Sequence, residues 1–535
     1  MAGEPASEPP AVVVELQDAV ARADWDTVQT LVSRNWSALI IADPAVIRDA
    51  VAALPDAVVA ANPRWISAYN YLSYLPVGDA PRPLRFRDIA PPGRSMALVD
   101  VLVELTSRAA AARVAGRIDR AVHWVDEARE ALGDATEEAV VEMQYSLPDL
   151  HSQWGKVREA AGQSTEAFRE YQDAHDLAAI TGNELIYQSS AGSLAWLHTI
   201  AGQTAEAEAW LDRVPRGDPP GGVPDWTSKR YGITAHLSRA LGHIDRLEYE
   251  EAAEVLDVYA DVAKAPDYWA VILYLRARLA RHTSDAWRVL TQIDSAVQSR
   301  PAELSSVGIN AHFIAVARAE LCIEIEQPAR ARQALAGQKS TPPSTYYLQL
   351  EQAKVDMLTG DLQAVARTVE PLLTVATSAQ RVIAEALVLS AVTRMRGGWE
   401  REAAEAFQQA LGVIVSARLY SALTVIRRGD FDELVRLSDL DSVGSSAGPV
   451  VAEVLERVRV HANFLPEMDS TIPLSPRERS VLAELVSGAS VAEIASRLFV
   501  SQNTVKSQLR SVYRKLGVAN RAEAEQAVAR FGLLD

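Results

Sequence analysis

One cysteine in 535 residues, Cys322, leaves no material for a disulfide framework or a cysteine-ligated zinc site. Aromatic residues make up only 6% and β-branched runs are short, so the usual marks of a sheet protein are missing. No run approaches the roughly 18 consecutive apolar residues of a membrane span, because Arg, Asp or Glu interrupts each one. Net positive charge is also absent: 53 Lys and Arg against 70 Asp and Glu give −17, a balance that by itself advertises no nucleic acid. Residues 1–10 hold three Pro, one Gly and two Glu with no basic or apolar stretch, so they read as a disordered tail rather than a signal peptide. These absences point to an acidic, soluble, cytoplasmic protein with no membrane partner. The composition (48% hydrophobic, 23% charged) is globular, and the length suggests about three to four domains' worth of chain.

Catalytic patterns are missing as well. There is no His-Glu-x-x-His and no Gly-x-Ser-x-Gly. Gly155-Lys156 and Gly337-Gln-Lys339-Ser340 lack the preceding glycine of a phosphate-binding loop, so triphosphate binding by that route has no chemistry. His123, His198 and His312 fall in helical stretches and read as satisfied core or groove side chains, and Cys322 as a small buried apolar residue. No βα alternation suggests a receiver domain. The expectation is a protein that is not an enzyme and has no cofactor, no metal site and no catalytic residue.

What the sequence does have is helical periodicity nearly throughout, with apolar residues at three- and four-residue spacing. Within it a turn recurs. It appears as Gly116-Arg-Ile-Asp-Arg-Ala121, Gly162-Gln-Ser-Thr-Glu-Ala167, Gly202-Gln-Thr-Ala-Glu-Ala207 and Gly398-Trp-Glu-Arg-Glu-Ala403. Weaker copies begin at Leu247 and Glu326, and the copy at Gly360 has its alanine, Ala364, one place early. Glycine supplies the positive-φ cap that ends one helix, the polar residues start the next, and the small alanine lets the two approach. With an unmarked turn near Arg281, the 282 residues from Gly116 to Gly398 make seven intervals of about 40, longer than the 34 of a tetratricopeptide repeat. The expected fold class is all-α: a TPR-like helix-pair solenoid with slightly long helices, followed by a four-helix C-terminal domain. The expected boundaries are a tail over 1–10, an N-terminal helical segment over 11–93, the solenoid over 94–440, a linker with one helix over 441–473, and the last domain over 474–535. Seven of the 11 Trp, including Trp196 and Trp226, fall in the solenoid's first half, where an aromatic groove for an effector is the place to look; no effector residue is assigned.

Residues 474–535 differ in charge: nine Lys and Arg against six Asp and Glu give +3, leaving −20 for the rest. Ser475 and Ser490, each with Glu three places on, predict capping boxes opening two short helices. Ser501 then caps a third, whose Val505, Leu509, Val512 and Leu516 must face a core. Its other face presents Asn503, Lys506, Ser507, Arg510 and Arg514. A fourth helix is expected over about 521–531. Two short helices, the second basic on its outer face, constitute a helix-turn-helix able to enter a major groove.

The run Leu474-Ser-Pro-Arg-Glu-Arg, with Val481-Leu482, Gly488-Ala-Ser, Glu493-Ile-Ala, Val500-Ser501, Asn503-Thr-Val-Lys506 and Lys515-Leu-Gly-Val518, resembles the LuxR-type DNA-binding domain. Arg521, Ala524 and Gly532-Leu533 close the resemblance, which is nearest to the large MalT-like subclass of that family. Two positions depart from the pattern: Gln508 stands where the family usually has His, and Val491-Ala492 where it often has Asn-Lys. Both bear on phosphate contacts or operator preference, and neither disturbs the core. Trp36, Leu54-Pro55 and Pro63 are similar to the segment that precedes the subclass's helical repeats. No counterpart of its NTPase motif occurs. The resemblance implies a transcriptional regulator that binds double-stranded DNA as a homodimer or higher homo-oligomer through the 521–531 helix. Gln502, Asn503, Thr504, Lys506, Ser507, Arg510 and Arg514 would form its DNA face. Of these, Asn503, Lys506 and Arg510 would reach base edges or phosphates, and Thr504 and Arg514 would hold the backbone. A small-molecule effector or partner protein on the solenoid, and RNA polymerase for an activator, complete the implied partners. The second reading of the same sequence is an interaction scaffold with a weak or vestigial DNA-binding tail.

Overall fold

The computed structural model describes residues 11–62, 64–74, 97–215, 231–260, 267–283, 285–304, 308–338, 344–374, 379–438, 448–466, 474–516, 518 and 520–531. Among them the structure is all-α, with no β-strand and a single bridge pair, Arg427 with Leu465. The tail over 1–10, the proline-rich stretch after Leu75, Trp226 and the 441–447 part of the expected linker lie outside the described residues.

The repeated turn has one geometry wherever the motif occurs. Gly116, Gly162, Gly202, Gly360 and Gly398 all sit at φ between +71 and +82°, and Leu247 and Glu326 adopt the same left-handed conformation at +64 and +55°. In each case the next residue donates its N–H to the carbonyl five places back, as in Gln203 to His198, Glu248 to His243 and Gln327 to Cys322. This is the bond that satisfies the orphan carbonyls at a helix end. Leu247 and Glu326 hold it at a steric cost of about 1–2 kcal/mol each, which glycine avoids. The alanine five residues on is buried at every complete motif: Ala121, Ala167, Ala207, Ala252, Ala331 and Ala403. Where Ala364 comes early, Val365 takes the buried position.

These seven turns join seven helix pairs, from Leu98–Val114 with Ile118–Gly133 to Gln380–Arg396 with Glu400–Ser416, and Trp269–Thr283 with Ala286–Ser299, at the turn the motif does not mark, makes an eighth. The long period does not come from uniformly long helices. The second helices Thr204–Leu211, Tyr249–Asp257 and Pro328–Leu335 have only 8, 9 and 8 residues. Much of the extra length lies between pairs, as in the short Glu137–Glu142 helix after the first.

The first helices of successive pairs pack side by side, and pairs far apart in sequence also meet. Glu184–Ala201 touches Gln380–Arg396, and Leu147–Ala160 touches Ile309–Glu324. At this closure the Arg381 guanidinium grips both Asp245 carboxylate oxygens at 2.6 and 2.7 Å and donates to the Thr199 and Ile200 carbonyls at the end of the Glu184–Ala201 helix. Close by, Lys354 lies within 2.5 Å of Glu351 and 2.8 Å of Glu385, with Arg278 and Glu320 completing a buried charged cluster. Burial among these carboxylates pushes the Glu351 carboxyl up to about 7. The concave surface expected of an open solenoid is therefore largely closed over a shared interior.

Two segments flank this body. The N-terminal helices from Ala11–Ala21 to Arg64–Tyr74 enclose their own core around Leu16, Val28, Val32, Ile47 and Trp65, and the Ser37 hydroxyl reaches Asp149 of the second pair. The Gly448–His461 helix buries Val454, Leu455 and Val458 in the same core as Phe407 and Phe431, and Asn463 donates to Glu324 and the Arg281 carbonyl. That helix is thus fastened to the body, and its attachment continues through Leu465, whose N–H donates to the Ile426 carbonyl.

Candidate nucleic-acid interface

The last four helices are Pro476–Val486, Val491–Arg497, Gln502–Leu516 and Arg521–Phe531. Both expected capping boxes form: the Ser475 hydroxyl accepts from the Glu478 N–H while Glu478 accepts from the Ser475 N–H, and Ser490 with Glu493 repeats the arrangement. Ser501 caps the third helix by accepting from the Thr504 N–H at 3.1 Å. Val481, Leu482, Leu485, Ile494, Ala495, Val505, Leu509, Val512, Leu516, Ala524 and Val528 form one core, with Val491 and Leu498 packed against it. Four short helices become a stable unit only by burying such a shared face.

With Val505, Leu509, Val512 and Leu516 turned inward, geometry places the rest of the third helix outside. Gln502, Asn503, Thr504, Lys506, Ser507, Arg510 and Arg514 are all exposed. Lys506 or Ser507, Arg510 and Arg514 follow Asn503 at steps of three and four along one face, a polar and basic stripe about three turns long. Thr504 has a second role, since its hydroxyl lies 2.8 Å from that of Ser501 at the helix start. Gln508, one of the departures from the family pattern, is half-buried beside the stripe rather than on it.

Glu478 is the node that orients this helix, a role its capping-box spacing did not disclose. Besides closing its own box it accepts from the Ser511 hydroxyl at 2.7 Å and from Lys515 Nζ at 2.6 Å, both on the third helix. Those contacts, Lys515 first, hold its carboxyl down at about 2. Arg521 donates to the Leu485 and Ala489 carbonyls at the end of the first helix. Arg497 pairs with Glu484 at 2.7 Å. Three of the nine basic residues counted from sequence are thus tied within the domain, while Lys506, Arg510 and Arg514 of the stripe stay exposed.

The turn before the third helix places Phe499 at φ +56° with 95% of its surface exposed, next to the half-exposed Val500. The sequence makes Phe499-Val500 the turn that leads to Ser501, but neither the strain nor the exposure has a signal there.

The family of bacterial regulatory proteins known as the luxR family matches residues 472–528. The HTH-type transcriptional regulator MalT of Vibrio cholerae serotype O1 is 43% identical over 74 residues, which are 14% of this chain and 8% of that protein. MalT of Yersinia pestis (strain Pestoides F) is 46% identical over 66 residues, 12% of this chain and 7% of that protein. The match therefore spans less than a tenth of the length of these relatives. No solved structure matches the chain. No helix of the described residues is long and apolar enough to cross a membrane.

Proposed function

From a LuxR-family helix-turn-helix domain at the C-terminal end of the chain, we propose that this protein is a cytoplasmic, non-enzymatic transcriptional regulator whose helical body senses an effector. The observation that carries the reading is the exposed stripe of Asn503, Lys506, Ser507, Arg510 and Arg514, held outward by a helix whose opposite face is core. An α-helix of this kind fits the major groove, where Asn and Arg read base edges and Lys neutralises phosphate. Gln502 and Thr504 lie at its entry. Dimerisation through the Arg521–Phe531 helix would set two stripes on neighbouring half-sites, and an activator would also meet RNA polymerase.

The body supplies the regulation in this reading. The residues before 474 carry a net charge of −20, which attracts the stripe, so that the body can hold the reader or release it. An effector shifts that balance only through different affinity for the two arrangements.

The test is selection of duplexes from a random library by the full chain at roughly 50–100 mM salt, followed by affinity measurement on the enriched site. Arg510→Ala is expected to weaken binding by about 1–3 kcal/mol and relax preference at one base position. Lys506→Ala should weaken all sequences alike and lower the salt slope by about one. Absence of duplex binding at low salt would leave only an interaction scaffold.

A further inference from the structure

Among the described residues, the closure of the body forms a cavity of about 580 Å³, in the size range of small-molecule sites. Its wall is built from both halves of the superhelix. Phe168 and Trp196 come from early pairs, and Tyr274, Phe313, Tyr346 and Tyr347 from later ones. Phe313 stands between the others, its ring 5.2 Å from Tyr274 and 6.5 Å from Trp196.

Several polar groups of this wall are already engaged within the protein. Arg381 is bound to Asp245 and two carbonyls, as described above. The Tyr347 hydroxyl donates to the Ile200 carbonyl at 2.7 Å, Arg278 donates to the Tyr274 hydroxyl at 3.0 Å, and His198 Nδ1 lies 2.6 Å from Gln203 Oε1. A ligand rich in hydroxyls would have to desolvate each of them against rings that return no hydrogen bond, at a cost of about 1–3 kcal/mol apiece. A flat apolar ring system loses little water and gains contact with the partly exposed rings of Phe168, Phe313, Tyr346 and Tyr347.

The wall also holds a carboxylate. Glu159 is 6% exposed, and its Oε2 accepts from the Tyr171 hydroxyl at 2.6 Å and the Tyr268 hydroxyl at 3.4 Å. Its other oxygen, Oε1, is buried and has no hydrogen-bond partner.

We infer that the cavity binds a planar, largely apolar aromatic molecule carrying one hydrogen-bond donor, with the rings against Phe313 and Tyr347 and the donor on Glu159. This deepens the proposal of an effector-sensing body and rests on it. Because the wall draws on Phe168 and Trp196 as well as Tyr346 and Arg381, such a ligand ties the two ends of the closure together. Occupancy therefore favours the closed arrangement of the body over any more open one.

The experiment is calorimetric titration of the full-length protein with three probes: 2-naphthol, 2-methoxynaphthalene (the same ring body without the donor) and trehalose. The expected result is one saturable site for 2-naphthol, weaker binding of 2-methoxynaphthalene and no binding of trehalose. Ala379 lines the cavity, so Ala379→Phe should lower 2-naphthol affinity by about tenfold or more. An unchanged thermal melt of that variant establishes that the site was filled rather than the fold lost, and if it melts early, Leu197→Phe at another point of the lining takes its place. Absence of 2-naphthol binding, trehalose binding in its place, or 2-naphthol affinity unaffected by filling the cavity overturns the inference. Equal binding of the two naphthalenes overturns the role of Glu159. The same samples measured on the selected duplex separate the two claims. Probe binding with no change in DNA affinity sinks effector control and leaves the cavity. DNA binding without probe binding sinks the cavity alone.

Discussion

Gly202, Gly360 and Gly398 are equivalent in local terms: each ends a helix in the repeated turn, and each has φ +82°. Replacing any of them with alanine forces a Cβ into the left-handed region, at a cost of about 1–2 kcal/mol. The loss is partly offset by the lower freedom of alanine in the unfolded chain, about 0.4–1 kcal/mol. Gly360→Ala and Gly398→Ala should therefore lose roughly 0.5–1.5 kcal/mol, because nothing lies within 4 Å of a Cβ at either site. Gly202 differs in what faces it. A Cβ there would stand 2.6 Å from the backbone nitrogen of Arg381 and 3.1 Å from Leu419 Cδ1, so one of the two elements must move. Overpacking of this kind adds about 1–3 kcal/mol. It also pushes on the residue that binds Asp245 and the Thr199 and Ile200 carbonyls, so Gly202→Ala should lose roughly 2–4 kcal/mol in all. Urea denaturation of the three full-length variants, with hydrogen exchange of amides around residue 381 as the local readout, measures the difference. The expected outcome is a midpoint drop for Gly202→Ala clearly beyond the other two, with exchange around 381 accelerated only there. Equal losses within about 0.5 kcal/mol would refute the close approach of the third and eighth helix pairs.

Two further variants probe buried acids with opposite pH behaviour. Glu478→Gln should loosen the third helix of the reader by about 1–3 kcal/mol, read as faster exchange of amides in Gln502–Leu516, while leaving the body untouched. Because the Glu478 carboxyl is held at about 2 against its ordinary 4.5, its contribution is full above 4.5 and is lost as pH falls toward 2. A wild-type reader whose acid sensitivity in that window matches that of Glu478→Gln would refute the assignment. Glu351 is raised from 4.5 to about 7, so the folded body holds a proton that the unfolded chain releases, and stability declines as pH rises from 4.5 to 7. Glu351→Gln should flatten that decline in urea midpoints measured across the same interval. An unchanged slope counts against a titrating Glu351.

Much of this protein was legible in its sequence because the forces involved act over a few residues. Glycine at the turns, serine with glutamate three places on, and apolar residues at 4-3-4 spacing act through caps and faces set by helix geometry. They located the helix-pair turns, the four C-terminal helices, and the division of the Gln502–Leu516 helix into buried and exposed sides. Even Leu247 and Glu326, without glycine, hold the expected turn, since neighbouring helices impose what local preference resists. Long-range contact decided the rest. Glu478 reads as a capping residue, yet Ser511 and Lys515, more than thirty residues on, make it the node of the reader. Trp196 and His198 stood out in the sequence, but only closure of the superhelix brings them beside Phe313, Tyr347 and Arg381 around one cavity. Gly202 carries the same motif as Gly398, and what separates them is a backbone nitrogen 179 residues away from Gly202. Local pattern fixes which helices form and which faces turn inward; how far the stack of pairs curls depends on small angles summed over eight repeats, and no short stretch of sequence records that sum.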